Sequence, residues 1–131
     1  MRKTTFFYIA LCCITLISCT GNEPQAHTSI IGSWHCAESS AYGSRNYLVD
    51  IDRKRTDTTQ YLMSNFYNQD VNEFILAHLS GKTLTITQQQ ILALTVKSGT
   101  GLVSNDFKRI DFDYNMYDWS SEINVHAIYT R

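Results

Sequence analysis

The sequence predicts an all-β domain, with eight antiparallel strands closed into an up-and-down barrel. Three observations carry this. From Ile30 onward Thr, Val, Ile, Tyr and Phe dominate, in short runs that alternate apolar with polar residues. That period gives a strand one buried and one wetted face. Turn-type residues punctuate the runs at short, even intervals, so successive strands pair as neighbours. A set of such strands leaves two raw edges, and closing the sheet on itself removes both.

The strands are expected at Ile30–Glu38, Asn46–Arg53, Thr59–Phe66, Asn72–Leu79, Thr83–Gln88, Ile91–Val103, Phe107–Tyr117 and Glu122–Tyr129. The clearest hairpin is Leu79-Ser80-Gly81-Lys82-Thr83-Leu84, where Gly accepts a positive φ without a Cβ clash. Ser104-Asn105-Asp106 and Asp118–Ser121 are the next turns. Between Lys108 and Tyr117, Ile110, Phe112, Tyr114 and Met116 share one face, and Asp111, Asp113 and Asn115 the other. Gly99 and Gly101 inside one long run predict a sharp bend. Asp70–Ser80 also carries helical spacing, with Asp70 and Glu73 placed as in a capping box. The hairpin that follows it decides for a strand. Trp34, Tyr47, Phe74, Phe112, Tyr114 and Tyr129 are the expected interior fillers.

Residues 1–18 read differently. Arg2 and Lys3 precede a mostly apolar run from Phe6 to Ile17 that ends at Ser18-Cys19. That is the layout of an export signal, and the run is short of the roughly 20 apolar residues that span a bilayer. Leu16-Ile17-Ser18-Cys19 resembles the lipobox of bacterial lipoproteins. The resemblance implies lipidation of the Cys19 thiol and cleavage before it, so that several acyl chains anchor the protein. Residues 19–29, polar and holding the sole Pro, then form a flexible tether, and 30–131 the barrel domain. Thr20 in place of Asp after the cysteine favours, by the same resemblance, the outer membrane, on its periplasmic side or at the cell surface. With Cys12 and Cys13 discarded and Cys19 acylated, Cys36 stands alone, a small buried residue rather than half of a disulfide.

Charge excludes one class of partner. Without Arg2 and Lys3, nine Lys and Arg face twelve Asp and Glu. The one basic cluster, Arg53-Lys54-Arg55, is flanked by Asp50, Asp52 and Asp57, so no nucleic-acid surface is expected.

Gly32-Ser33-Trp34 on the first strand resembles the G-x-W motif of the lipocalin superfamily, in which the Trp closes one end of the barrel and a late Arg stacks on it. Arg131 occupies that late position. The pattern IIGSW…HLSGKTLTI…IYTR resembles the small lipocalin-like (calycin-type) lipoproteins of Bacteroides-type Gram-negative bacteria. The resemblance implies barrel closure by Gly32, Trp34 and Arg131. The T-D-Y-like second motif has no counterpart and the domain is short, so the interior is expected to be filled by its own side chains.

Catalytic patterns are scarce. The sequence has no G-x-S-x-G elbow, and Gly99-Thr100-Gly101 lacks the Lys and helix of a phosphate loop. Asp50 with Asp52, and Asp111 with Asp113, read as solvated strand faces. If the first and last strands pair with Ile31 opposite Thr130, His35 falls opposite His126, close enough to share a metal ion weakly. No cofactor is expected. The sequence therefore predicts a non-catalytic envelope lipoprotein, either an interaction module for an envelope protein or a carrier of a small apolar ligand.

Overall fold

A computed structural model describes residues 27–131. They form β1 (Gly32–Ser40), β2 (Gly43–Arg53), β3 (Gln60–Ser64), a 3-10 turn (Phe66–Asn68), β4 (Phe74–Ser80), β5 (Thr83–Ile86), β6 (Gln89–Ile91), β7 (Leu94–Val103), β8 (Arg109–Tyr117) and β9 (Glu122–Thr130). The sheet order is β5-β4-β3-β2-β1-β9-β8-β7-β6, and β5 also pairs with β7, which closes the ring. Every pairing is antiparallel. β5 and β6 lie end to end along β7, with Ile86 opposite Gly99 and Gln89 opposite Val96. Together they act as one interrupted strand, so the nine strands make a closed eight-stranded barrel.

The barrel has two distinct ends. At the proximal end the chain enters through residues 27–31, and the β2–β3, β4–β5 and β7–β8 connections turn. At the distal end lie the β1–β2, β3–β4, β6–β7 and β8–β9 connections.

Alternation fills the interior as the residue pattern requires. Trp34 and Cys36 of β1, Val49 and Ile51 of β2, Val125, Ala127 and Tyr129 of β9, and Ile110, Phe112, Tyr114 and Met116 of β8 are buried. Aromatic rings meet across the centre. Phe112 stacks on Tyr129 at 6.0 Å between centroids, Phe66 lies 4.7 Å from Tyr114, and Phe112 lies 5.7 Å from Tyr114. The glycines of β7 make room for them. A Cβ on Gly101 would overlap the Phe112 ring, and one on Gly99 would come within 3.0 Å of Phe112 and Tyr114.

Three expectations are corrected. Phe74 is not a filler: it is exposed, because Ile75 and Ala77 take the inward phase of β4. Phe66 and Tyr67 fill that space instead. The predicted strand Thr59–Phe66 stops at Ser64, and left-handed backbone at Asn65, Tyr67 and Asn68 lets both neighbouring rings turn inward. The predicted single strand Ile91–Val103 is broken at Leu92, which adopts φ 50° to form the β6–β7 turn. No Gly or Asn marks that turn. It is braced by Gln89, whose side-chain amide binds both the N–H and the C=O of Leu76 at 2.7 Å. That amide stands in for a peptide neighbour where β5 has ended.

Gly101→Ala tests the packing. Strand propensity alone favours Ala over Gly, but the forced shift of Phe112 costs about 1–3 kcal/mol. Urea unfolding is expected to show a net loss of stability with an unchanged m-value.

Candidate functional site

Gly32, Trp34 and Arg131 come together at the proximal end. Trp34 is fully buried, and its Nε1–H donates to the Ile30 carbonyl at 2.8 Å. The Arg131 guanidinium lies 4.2 Å from the indole centroid. It also donates to the carbonyls of Phe107 and Ile31 at 2.8 Å, and to that of Ser29. Gly32 has φ +124°, a conformation that L side chains rarely adopt, and a Cβ there would lie 3.5 Å from Arg131 Nη1. Burial without a carboxylate partner lowers the Arg131 pKa from its ordinary value. One side chain thus ties the entering chain, the β7–β8 turn and the Trp plug together.

His35 and His126 do not come together. The β1–β9 register places His35 opposite Thr130 and His126 opposite Ser39. The expected register is thus wrong by four residues, because the first three residues of β1, Gly32 to Trp34, pair with β2 alone and β9 joins only from His35. The shared metal position falls with it, and among the described residues no group of three His, Cys, Asp or Glu side chains is placed to hold a metal. His126 instead pairs with Asp113, Nδ1 to Oδ1 at 2.7 Å. Ser39, His126 and Asp113 form a row across β1, β9 and β8 in an open groove of about 460 Å³. The Ser39 hydroxyl donates to the His126 carbonyl at 3.4 Å, so it is engaged with backbone, away from the imidazole. Cys19, expected to be lipidated, lies outside the described residues, as do the expected export signal and most of the expected tether.

A buried charge lies beneath the distal end. Glu38 is 3% exposed. Its Oε1 accepts Arg45 Nε at 3.1 Å and Nη2 at 2.5 Å. Its Oε2 accepts the hydroxyls of Tyr47 and, at 2.6 Å, Tyr114. The Arg45 guanidinium lies 3.9 Å from the Tyr67 ring centroid, so the 3-10 turn closes over the ion pair as a lid. Burial works against the Arg45 charge, but hydrogen bonding and attraction from Glu38 outweigh it and raise its pKa. Burial pushes the hydroxyls of Tyr47, Tyr114 and Tyr129 well above the ordinary tyrosine range, and lifts the Cys36 thiol to about 12. The Tyr129 hydroxyl has no hydrogen-bond partner. Strand phase could have found this network, since Trp34, Cys36 and Glu38 share one face, as do Arg45, Tyr47 and Val49.

Above this lid is an apolar rim. Tyr42, Val71, Phe74, Leu92 and Trp119 each expose more than half of their surface, and each distal connection supplies at least one. Trp119 sits at φ 73° on a turn that is fastened from several sides. Asp118 Oδ1 accepts Ser120 N, Ser120 Oγ and Ser121 N at 3.1, 2.7 and 3.0 Å. Tyr42 Oη donates to Asp118 Oδ2 at 3.0 Å, and Tyr117 Oη to the Trp119 carbonyl at 3.1 Å.

Two measurements probe the interior. Arg45→Met leaves the Glu38 carboxylate buried without its cation. The cost is about 2–3 kcal/mol, at or below the low end for a buried pair because Arg45 is partly exposed. The double change Arg45→Met with Glu38→Gln removes the unpaired charge but keeps an acceptor for the hydroxyls of Tyr47 and Tyr114, so it is expected to recover part of the loss in a double-mutant cycle. Alkaline pH gives the second. Below pH 9 the thiol of Cys36 is protonated in both states. Above it the unfolded chain ionises and the folded one does not, so stability falls as pH rises from about 9 to about 12. Cys36→Ala should flatten that limb, leaving the tyrosine part, and peptide mapping should find Cys36 alkylated at pH 8 only in denaturant.

No protein-family model, no curated protein and no solved structure matches this chain.

Proposed function

We propose that this protein is a membrane-anchored envelope lipoprotein whose compact barrel is a non-catalytic protein-interaction module, with the distal rim as its working surface. The observation that carries this reading is the rim, where large apolar side chains from every distal connection stand in water. Scattered exposed apolar residues are ordinary, but a set gathered at one end marks a contact surface. Trp119 has the features of an anchor: aromatic, exposed and held on a braced turn. The packed aromatic interior supports this reading over the carrier of a small apolar ligand, which needs space that Phe66, Phe112, Tyr114 and Tyr129 occupy.

The anchor is read from Leu16–Cys19 and from the resemblance to small lipocalin-like lipoproteins. The chain enters at the proximal end, so an anchor at Cys19 leaves the rim facing away from the membrane, either into the periplasm or outward from the outer-membrane surface. Cys19→Ala is expected to abolish palmitate labelling and move the protein to the soluble fraction; unchanged fractionation would end the anchor reading. Protein extracted from its native membrane is expected to carry a protein partner in stoichiometric amount. Trp119→Ser with Val71→Ser should lower that occupancy at least tenfold at an unchanged melting temperature. A stoichiometric apolar small molecule, released only on unfolding, would instead favour the carrier.

A further inference from the structure

The two ends of the barrel differ in charge as well as in hydropathy. Arg53, Lys54 and Arg55 stand at the β2–β3 turn, Lys82 at β4–β5, Lys108 and Arg109 at β7–β8, and Arg131 after β9. Seven of the nine Lys and Arg among the described residues thus gather at the proximal end. The carboxylates at the same strand ends are Asp52 and Asp111, and those within the connections are Asp57 and Asp106. The latter two are committed to their own turns: Asp57 accepts Thr59 N and Oγ1 at 2.9 and 2.7 Å, and Asp106 accepts Ser104 Oγ at 2.6 Å. Of the seven cations, Arg109 alone has a salt-bridge partner among the described residues, Asp111 at 2.5 Å. Arg53, Arg55, Lys108 and Arg109 are exposed. The distal connections and the strand ends beside them carry Asp70, Glu73, Asp118 and Glu122, and the two cations on that side are both paired, Lys97 with Glu122 at 3.0 Å and Arg45 with Glu38 at 2.5 Å.

The chain also leaves the barrel at the basic end. Arg131 holds the carbonyls of Ser29 and Ile31 there. Residues 20–26, between Cys19 and the described chain, can reach at most about 25 Å. An anchor at Cys19 therefore keeps this end near enough to touch the membrane, and on touching down it enters the potential of anionic lipids, which extends over about 8 Å at physiological salt.

We propose that the proximal end docks on anionic phospholipid headgroups of the membrane that holds the anchor. This rests on the lipoprotein reading of Cys19. Guanidinium and ammonium groups meet phosphate oxygens, and Arg53 and Arg55 can each offer two parallel N–H donors to one phosphate. Acyl chains hold the protein at the surface, and the basic end sets which way the barrel stands.

The test removes the anchor, so that charge docking is read separately from lipidation. All strands and both end plugs lie within Ile30–Arg131, so a chain beginning at Thr20 carries the whole barrel. That protein is sedimented with vesicles of phosphatidylcholine alone, and with vesicles containing about 30% phosphatidylglycerol, at low and high salt. It is expected to bind the anionic vesicles and to be released by salt. Each cation near such a surface contributes about fivefold, so Arg53→Gln/Arg55→Gln/Lys108→Gln should bind on the order of a hundredfold more weakly with unchanged circular dichroism. The distal variant Asp70→Asn/Glu73→Gln should bind within about twofold of the parent, because its charges lie beyond the screening length. Equal binding to both vesicle types, or a triple variant that sediments like the parent, overturns the proposal. So does a distal variant that shifts binding as much as the triple one, since net charge and not the basic end would then be responsible.

Discussion

The interior of an eight-stranded barrel has a fixed cross-section, and everything else in this molecule accommodates it. Strand count and tilt set the width, leaving space that a few large side chains fill. Phe112, Tyr114 and Tyr129 enter from two neighbouring strands, so the strand beside them must lack side chains at the same level. Gly99 and Gly101 meet that requirement, since a Cβ at either would press on these rings. The opposite wall leaves a gap that strand residues do not reach, and the 3-10 turn fills it with Phe66. Left-handed backbone at Asn65, Tyr67 and Asn68 is a local cost of order 1–3 kcal/mol per strained residue, offset by burying two rings that would otherwise stand in water.

The buried ion pair ties this packing to the distal surface. Glu38 has four donated hydrogen bonds from three side chains, so its charge is satisfied without water. Breaking such a cluster costs more than it contributes relative to an apolar replacement, so specificity of arrangement is its better-attested use. Arg45 joins Glu38 below to Tyr67 above, and Tyr67 belongs to the connection that presents Val71. The lid and the rim are therefore positioned by the same network. A rigid rim loses less conformational entropy on contact than a loose one.

Legibility in the sequence followed the strength of local signals. Hairpins marked by Gly81 or by Ser104–Asp106 were readable because turn chemistry is local, and β8 was readable because its alternation is unbroken. The turn at Leu92 was not, because its brace is the Gln89 side chain bound to a strand far away in sequence. Phe66 and Tyr67 were missed as plugs for a related reason: alternation assumes a continuing strand, and here the strand ends so that adjacent residues can both face inward. The β1–β9 register depended on where β9 joins β1. Ile30 looks like a strand residue but serves as the floor beneath Trp34, and β9 joins only from His35, which displaced the pairing of His35 and His126. Trp34 and Arg131 could be paired because a motif resemblance supplied a long-range contact that periodicity cannot. Glu38 was within reach, since phase alone puts it inside, but a carboxylate in the interior is a reading that propensity discourages.

The remaining order runs along the barrel axis, and no single connection shows it. Each connection taken alone is a short turn with at most three charges, and Ala41-Tyr42 and Leu92-Ala93 carry none. Antiparallel up-and-down topology sends alternate connections to opposite ends, so a sequence in which basic and apolar turns alternate becomes a molecule with a basic end and an apolar end. Arg53–Arg55, Lys82 and Lys108–Arg109 fall on one side of that alternation, and Tyr42, Val71, Leu92 and Trp119 on the other. The entering chain shares the basic end because β1 begins there, with Trp34 closing the barrel above Ile30. Closure by Trp34 and Arg131 thereby fixes the end at which the chain enters the barrel, and hence which end carries the apolar side chains.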